Sequence, residues 1–263
     1  MKVVLLCGCK QSGKTTTATS IYGYLLTGCG AIPNAQIDEN GQMSIVYDKE
    51  KNEGIIFDID SEDPEFLEFK NRQTSQFINH VGFAYELKRT SSNLFGLDYS
   101  KLIGTNDQKN ELCHIKWADM NKVLPGNKKR KNPPEFMTHR EFLEVFGTLV
   151  AREIDPECHI RSAWNKLKTL NPQLGMFTDC RFSNEFEIVE QKAKEEGIEL
   201  LSIRFLRNPY KSDAPSEVGL DSIDNSRFSL LVPEDIPIPE RNKLVIDFLV
   251  EKNFLSNKNI KVV

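Results

Sequence analysis

The chain has 263 residues, a formal net charge of −4 and an apolar fraction of 39%. This length can bury a sizeable core in one α/β domain with insertions. The acidic balance argues against a partner such as a nucleic-acid polymer, and no apolar run approaches the roughly 20 residues of a membrane helix. Six cysteines are scattered along the chain, which favours free thiols in a reducing cytosol over a zinc site. We therefore expect a cytoplasmic protein without a membrane partner.

The N-terminal segment predicts a strand, a glycine loop and a helix. Residues 3–7 are an apolar run that meets Gly8, as in a strand buried within a parallel sheet. After the loop, apolar residues recur at helical spacing from Ala18 to Leu25. Gly28 and a second glycine two residues later are expected to end this helix.

Residues 8–15, GCKQSGKT, match the P-loop pattern G-x-x-x-x-G-K-[ST] without a mismatch. Gly8 and Gly13 allow the backbone to wrap a phosphate with its N–H groups inward, and the following helix N-terminus adds positive potential. Lys14 is placed to reach the β- and γ-phosphates, and the Thr15 hydroxyl to ligate Mg²⁺. A chance match in a glycine turn is disfavoured by the strand before the loop and the helix after it. The motif predicts a nucleoside triphosphate site and leaves the reaction open.

The middle of the chain predicts two additions to an α/β core. Residues 44–47 and 54–57 flank a polar stretch, which indicates a hairpin insertion within 31–70. Residues 77–83 and 85–94 then predict a strand and a helix. Residues 104–136 are polar and contain the basic run KKRK at 128–131. We predict a mobile loop or lid there, with a solvated surface loop as the alternative for the basic run.

The remaining segments again alternate between helices and strands. Thr138 and Glu141 form a capping-box pair that opens a helix, and His139 is expected on that helix's surface. Asn184 and Glu187 are taken as a similar pair. The other predicted elements are helices over 159–169 and 241–250 and strands over 174–178, 199–206 and 228–232. The alternation predicts an α/β fold, a doubly wound parallel sheet of the P-loop NTPase type, as one domain over 1–263.

Asp179 and Arg181 follow a predicted buried strand, so they lie at the carboxyl edge of the sheet, where ligands of open α/β folds bind. Asp179 is a candidate to bind Mg²⁺ through a water molecule. Arg181 is a candidate to form two parallel hydrogen bonds to a phosphate. The alternative is an Asp–Arg turn pair that caps the next helix. Further cations near element ends are candidate phosphate ligands or ordinary surface charges: Lys88, Arg140, Arg152 and Arg207.

Short motifs follow the glycine loop in order: FAYELK at 83–88, LFGL at 94–97, Gly104 with DQKN at 107–110, MTHREFL at 137–143 with FGT at 146–148, DCRFSNE at 179–185, and Ser216-Glu217 with Leu220-Asp221. With the loop itself, this series resembles the bacteriophage deoxynucleoside monophosphate kinases, including the T-even phage type. A GTPase is disfavoured because no Asn-Lys-x-Asp motif is present.

The resemblance implies transfer of the γ-phosphoryl group of ATP to a deoxynucleoside monophosphate, with Mg²⁺ as cofactor. It implies ATP contacts at Gly8, Gln11, Gly13, Lys14, Thr15, Thr16, Arg140 and Thr148. It implies monophosphate contacts at Leu87, Lys88, Gly147, Asp179, Arg181 and Glu185. Lys14, Arg140 and Arg181 are the expected catalytic residues, and Thr15 the metal ligand.

Two other functions stay open at this point. One is a P-loop kinase of another small acceptor, such as a sugar, and the other is a regulatory module that binds ATP and transfers nothing. A homodimer also stays open. If the protein is viral, the host cytoplasm is its expected location.

Overall fold

The computed structural model describes residues 1–38, 40–48, 53–61, 63–209 and 218–256. Its strands are, in chain order, β1 (Lys2–Cys7), β2 (Ala35–Ile37), β3 (Met43–Asp48), β4 (Glu53–Ile56), β5 (Ile78–Val81), β6 (Leu112–Lys116), β7 (Phe136–Thr138), β8 (Leu174–Cys180), β9 (Glu199–Phe205) and β10 (Leu230–Val232). Its α-helices are α1 (Lys14–Gly28), α2 (Pro64–Phe69), α3 (Tyr85–Phe95), α4 (Tyr99–Ile103), α5 (Asn106–Asn110), α6 (Trp117–Val123), α7 (His139–Glu144), α8 (Arg152–Ile154), α9 (Cys158–Leu170), α10 (Ser183–Glu195) and α11 (Ile238–Glu251). Segments of π-helix, Lys70–Thr74 and Val145–Ala151, follow α2 and α7.

The chain divides into two compact units, whereas the sequence predicted one domain over 1–263. The first unit contains Met1–Gly82 and Lys166–Val263, and the second contains Phe83–Asn165. None of the helices in the described ranges is both long and apolar enough to cross a bilayer.

The first unit is built on a five-stranded sheet in the order β10-β9-β1-β8-β5, flanked by helices. Every pairing in this sheet is parallel, which confirms the predicted α/β class with a parallel sheet. The central strand β1 is buried from Val3 to Cys7, because a parallel sheet with helices against it excludes water from its inner strands. Leu167 of α9 packs closely on Gly175 of β8, where an added Cβ would lie 2.7 Å from the leucine methyl group.

The predicted hairpin is present in the first unit and has a third strand. Strands β2, β3 and β4 form an antiparallel sheet in that order. The polar stretch between β3 and β4 includes residues 49–52, which lie outside the described residues. Met43 and Ile45 of β3 are buried in the same apolar cluster as Tyr22 of α1, so the insertion shares the core of this unit.

The second unit has its own apolar cluster and a small antiparallel sheet. Strands β6 and β7 pair with each other, and the buried members of the cluster are Leu97, Leu102, Cys113, Trp117, Met120, Leu124, Met137 and Phe142. The expectation of a loop over 104–136 was therefore wrong, since α5, β6, α6 and the start of β7 fall within that range. These elements are seven residues or shorter and are stabilised mainly by tertiary burial, which short-range patterns do not reveal. Movement of this range as a lid stays a prediction.

Candidate functional site

The carboxyl edge of the parallel sheet gathers the chain segments that the sequence singled out in the first unit. The glycine loop follows β1, Asp179 is the second-to-last residue of β8, Gly82 follows β5, and Arg207 lies two residues after β9. The chain runs from β1 outward to β5, returns to β8, and then crosses to β9 on the other side of β1. Ligands of open α/β sheets bind in the crevice where the strand order reverses in this way.

The glycine loop has a backbone conformation that residues other than glycine rarely adopt. Gly8, Gln11 and Gly13 have φ values of 149°, 58° and 105°. The Gly8 N–H donates to the Cys180 carbonyl at 3.0 Å, and an added Cβ at Gly8 would lie 2.9 Å from the carbonyl oxygen of Phe205. Only a glycine allows the loop to lie this close to the ends of both neighbouring strands.

Lys14 is the first residue of α1 and is folded back over the loop. Its Nζ donates to the carbonyl oxygens of Gly8 and Cys9, both at 2.6 Å, and to Ser12 Oγ at 3.3 Å. Burial, and next the charge of Arg181, lower the pKa of the ammonium from 10.5 to about 8, against the opposing charge of Asp179. The ammonium is therefore held in the loop by neutral oxygens, and no ion pair joins it to a carboxylate of the described residues.

Asp179 and Arg181 lie on the same edge as this lysine. An added Cβ at Gly82 would be 2.9 Å from Asp179 Oδ2, so the carboxylate rests against the backbone after β5. Its charge and that of Arg181 both act on the Lys14 ammonium. No carboxylate of the described residues forms an ion pair with the Arg181 guanidinium. The sequence alternative had an Asp179–Arg181 pair capping the next helix, whereas the backbone N–H groups of Arg181 and Phe182 at that helix start donate to Glu185.

Glu185 holds the turn after β8, and this corrects the predicted cap of α10. The carboxylate oxygen Oε2 accepts the backbone N–H of Arg181 at 2.8 Å and that of Phe182 at 3.1 Å. The predicted pair of Asn184 and Glu187 was wrong, because the N-cap lies two residues earlier, at Phe182, and the helix begins at Ser183. Glu187 instead forms an ion pair with Arg227. Glu185 is 2% exposed, so its clearest role is to position the segment that carries Arg181.

A cavity of about 260 Å³ opens beside the loop in the first unit. Its lining residues are Gly8, Cys9, Arg181, Arg204, Phe205, Leu206, Asn208, Leu220 and Asp221. Leu220 and Asp221 are the described part of the last motif, whose Ser216 and Glu217 lie outside the described residues. Arg204 donates to Asp221 Oδ1 at 2.7 Å and to Asn225 Oδ1 at 3.0 Å, so this arginine is neutralised and structural.

One arginine at this edge was missed by the sequence analysis. Arg241 near the start of α11 is 3% exposed, and its guanidinium lies against Gly13. Burial, and next the charge of Arg207, lower its pKa, which shows that the cation predicted at Arg207 is its neighbour. A signal was present in the sequence, since Arg241 precedes Val245 and Leu249 at four-residue spacing on the buried face of the helix.

Thr15 and Thr16 follow Lys14 in the first turn of α1. Thr15 is exposed, and its carbonyl oxygen accepts the Thr19 hydroxyl at 3.0 Å. The Thr16 side chain packs against Gly41, where an added Cβ would lie 2.0 Å from the threonine methyl group. Within the described residues, no three or more His, Cys, Asp or Glu side chains are arranged to hold a metal ion.

The second unit brings two predicted acceptor residues together. Leu87 of α3 packs on Gly147 in the π-helical segment, where an added Cβ would lie 2.6 Å from Leu87 Cδ2. His159 Nε2 lies 3.1 Å from the Gly147 carbonyl oxygen. Lys88 is half-buried and Thr148 is exposed. A π-helical turn widens the backbone locally and is often found at functional sites.

Arg140 of the second unit is held by neutral partners. Its Nε donates to Asn110 Oδ1 at 2.9 Å and its Nη2 to Asn106 Oδ1 at 2.8 Å. Both asparagines belong to α5, the helix that follows Gly104 and contains the DQKN motif. The two amides fix the guanidinium, and within the described ranges no acidic side chain forms an ion pair with it.

The structure corrects two other predictions in the second unit. His139 is buried, not on the surface, and its Nδ1 lies 2.9 Å from the Glu111 carbonyl oxygen. In the basic run, Lys128 forms an ion pair with Glu153. Arg130 pairs with Glu141 and lies 4.9 Å from the centre of the Trp117 ring. These two basic side chains therefore have partners within the unit and are not freely solvated.

Neither a family model nor a functionally curated protein matches the sequence of this chain. The geometry of the site therefore carries the functional conclusion, together with the motifs. Among the predicted residues, the first unit brings together Gly8, Gly13, Lys14, Asp179 and Arg181 at one edge of the sheet.

Proposed function

We propose that the chain is an ATP-dependent kinase of the P-loop type that phosphorylates a deoxynucleoside monophosphate. The observation that carries the proposal is the state of Lys14. It is a buried cation with a lowered pKa, bonded to backbone carbonyls of the glycine loop and the Ser12 hydroxyl. Its position, at the start of the helix that follows the central strand, is the one that binds the β- and γ-phosphates of a nucleotide.

The charge distribution around the loop supports a second phosphate-bearing ligand. Arg181 has no acidic partner among the described residues, and it lines the cavity next to Gly8 and Cys9. Lys14 and the backbone N–H groups of the loop provide ligands for the triphosphate, so we assign Arg181 to a second phosphate. A kinase must also hold the phosphate of its acceptor, because phosphoryl transfer is catalysed by positioning and charge neutralisation.

In this proposal Lys14 leaves the carbonyls of Gly8 and Cys9 and binds the donor's phosphates. Arg181, on the turn that Glu185 stabilises, holds the acceptor phosphate in line with the γ-phosphorus. The acceptor oxygen attacks, the bond to the β,γ-bridging oxygen breaks, and ADP leaves with that oxygen. Lys88 and Arg140 of the second unit are retained as predicted ligands of the acceptor and the donor, respectively.

Thr15 and Asp179 are suited to Mg²⁺. This ion prefers oxygen ligands and usually takes only one or two from the protein, with the remainder from phosphates and water. Asp179 is near enough to Lys14 for its charge to act on the ammonium, and Thr15 follows Lys14 directly in the chain. When bound, Mg²⁺ would neutralise charge on the β- and γ-phosphates. Asp179 also remains a candidate to contact the acceptor nucleotide.

The test is an ADP-release assay with Mg²⁺ and ATP, run separately with each of the four deoxynucleoside monophosphates and with several sugars. We expect release that depends on at least one monophosphate. Arg181→Ala should lower kcat/KM for that monophosphate about a hundredfold, the usual effect of losing one preorganised charged contact. Lys14→Met should abolish turnover, and Arg227→Met, at a surface ion pair with Glu190, should leave it unchanged.

Release that depends on a sugar would reassign the acceptor. ATP binding without release in the presence of any acceptor would identify a regulatory module instead. A Lys14→Met protein that turns over ATP normally would refute the nucleotide site.

A further inference from the structure

Arg241 is a buried arginine, and two of its three guanidinium nitrogens are unpaired within the described part of the chain. The residue is 3% exposed, and its Nε and Nη2 atoms are buried without a hydrogen-bond partner. An arginine does not lose its proton in proteins, so this group carries its charge in the interior. A buried cation without an acceptor is strongly unfavourable, and an isolated structural role does not explain its presence.

The guanidinium is placed directly on the glycine loop. An added Cβ at Gly13 would lie 2.3 Å from Arg241 Nη1 and 2.5 Å from Cζ. The next residue, Asn242, accepts a hydrogen bond from Thr17 Oγ1 of α1 at 3.1 Å and is also buried. Helix α11 is therefore held against the first turns of α1, and the position of the guanidinium beside the loop is set by packing.

The surroundings of Arg241 are positive. Gly13 is the N-cap of α1, where the helix N-terminus contributes positive potential. Arg207, after β9, is close enough for its charge to act on Arg241. No acidic side chain of the described residues forms an ion pair with Arg241. These positive groups together favour the binding of an anion at the loop.

We propose that Arg241 is a further ligand of the donor nucleotide and that its guanidinium donates hydrogen bonds to a phosphate held by the glycine loop. The planar guanidinium presents several N–H donors in a fixed fork that matches phosphate oxygens. This inference rests on the proposed function, because it assigns the anion to the same triphosphate that Lys14 binds. It adds a binding residue from the C-terminal helix, far from the loop in sequence.

The experiment compares Arg241→Met with Lys243→Met. Both substitutions remove one positive charge from α11, but Lys243 is exposed and pairs with Asp247. Affinities for Mg-ATP and for inorganic tripolyphosphate are measured by calorimetry. We expect Arg241→Met to weaken both ligands about tenfold to a hundredfold, the range of one or two charge-assisted hydrogen bonds. Lys243→Met should bind both ligands like the native protein.

Thermal unfolding without ligand supplies the second readout. We expect the ligand-free Arg241→Met and Arg241→Gln proteins to be at least as stable as the native protein, because each substitution removes a buried unpaired charge. A loss of stability in both would show that the guanidinium stabilises the fold by itself and would overturn the proposal. Unchanged affinity in Arg241→Met, or weaker binding of ATP alone, would also overturn it. A native protein that binds neither ligand would instead refute the proposed function.

Discussion

The carboxylate of Glu185 holds the backbone of Arg181, with Oε2 accepting the arginine N–H at 2.8 Å. The same oxygen accepts the N–H of Phe182 at 3.1 Å. Glu185 is buried at the third position of α10, where the helix N-terminus favours a negative charge. The conformation of the turn after β8, and with it the direction of Arg181, therefore depends on a residue of the following helix.

Loss of the Glu185 carboxylate should destabilise the fold. Glu185→Ala leaves two partly buried N–H groups without their acceptor, and we expect the free energy of unfolding to fall by about 1–3 kcal/mol. Glu187→Ala is the matched control on the same helix, and because its ion pair with Arg227 is exposed, it should change stability by less than about 0.5 kcal/mol. Urea unfolding followed by circular dichroism measures both. Equal effects would contradict the assignment of the cap to Glu185.

The lowered pKa of Lys14 predicts a pH dependence of stability. The pKa is 10.5 without perturbation and about 8 in the folded protein. Below pH 8 both states are protonated, and the charged ammonium destabilises the ligand-free fold. Between about pH 8 and 10.5 the folded state binds fewer protons than the unfolded state, so stability rises with pH. Lys14→Met removes the titrating amine, so the stability of this variant should not show this rise with pH.

The measurement is the difference in the free energy of unfolding between Lys14→Met and the native protein, taken from pH 7 to pH 10. We expect any advantage of the variant to shrink as the pH increases, by an amount on the order of 3 kcal/mol if the whole shift is expressed. Parallel stability curves for the two proteins would show that Lys14 is not desolvated as the structure indicates.

Gly147→Ala tests the contact with Leu87. The added methyl group would lie 2.6 Å from Leu87 Cδ2, so the leucine side chain must move. If Leu87 and Gly147 contact the acceptor, KM for the monophosphate should rise about fivefold, equivalent to roughly 1 kcal/mol, while ATP affinity stays unchanged. Gly126→Ala is the control, because no atom lies within 4 Å of its added Cβ. An unchanged KM in Gly147→Ala would remove this pair from the acceptor site.

His139→Ala tests the corrected position of this histidine. The ring is buried, and its Nδ1 lies 2.9 Å from the Glu111 carbonyl oxygen. We expect a loss of about 1–3 kcal/mol in the free energy of unfolding, since the substitution leaves a cavity and removes this bond. His114→Ala is the control, because His114 is exposed on β6. A thermal midpoint equal to that of His114→Ala would contradict the buried position.

The sequence predicted the first unit more closely than the second. Apolar runs such as residues 3–7 and 174–178 identified the strands β1 and β8 of the parallel sheet, since a strand buried on both faces has little polar alternation. The capping pair of Thr138 and Glu141 marked the true start of α7. The range 104–136 was not predicted, because its elements are short and are stabilised by a cluster of side chains that are distant in sequence.

By itself, the sequence determined the α/β class and the position of the glycine loop between a buried strand and a helix. Both follow from local spacing: the period of the apolar residues, and two glycines that permit positive φ. Only the tertiary structure decided which charges lack partners. Arg204 and Arg241 are both arginines near buried segments. Arg204 is neutralised by Asp221, whereas Arg241 lies against Gly13 and forms no ion pair with any residue that the structure describes. That difference depends on contacts between residues far apart in the chain, which no local pattern encodes.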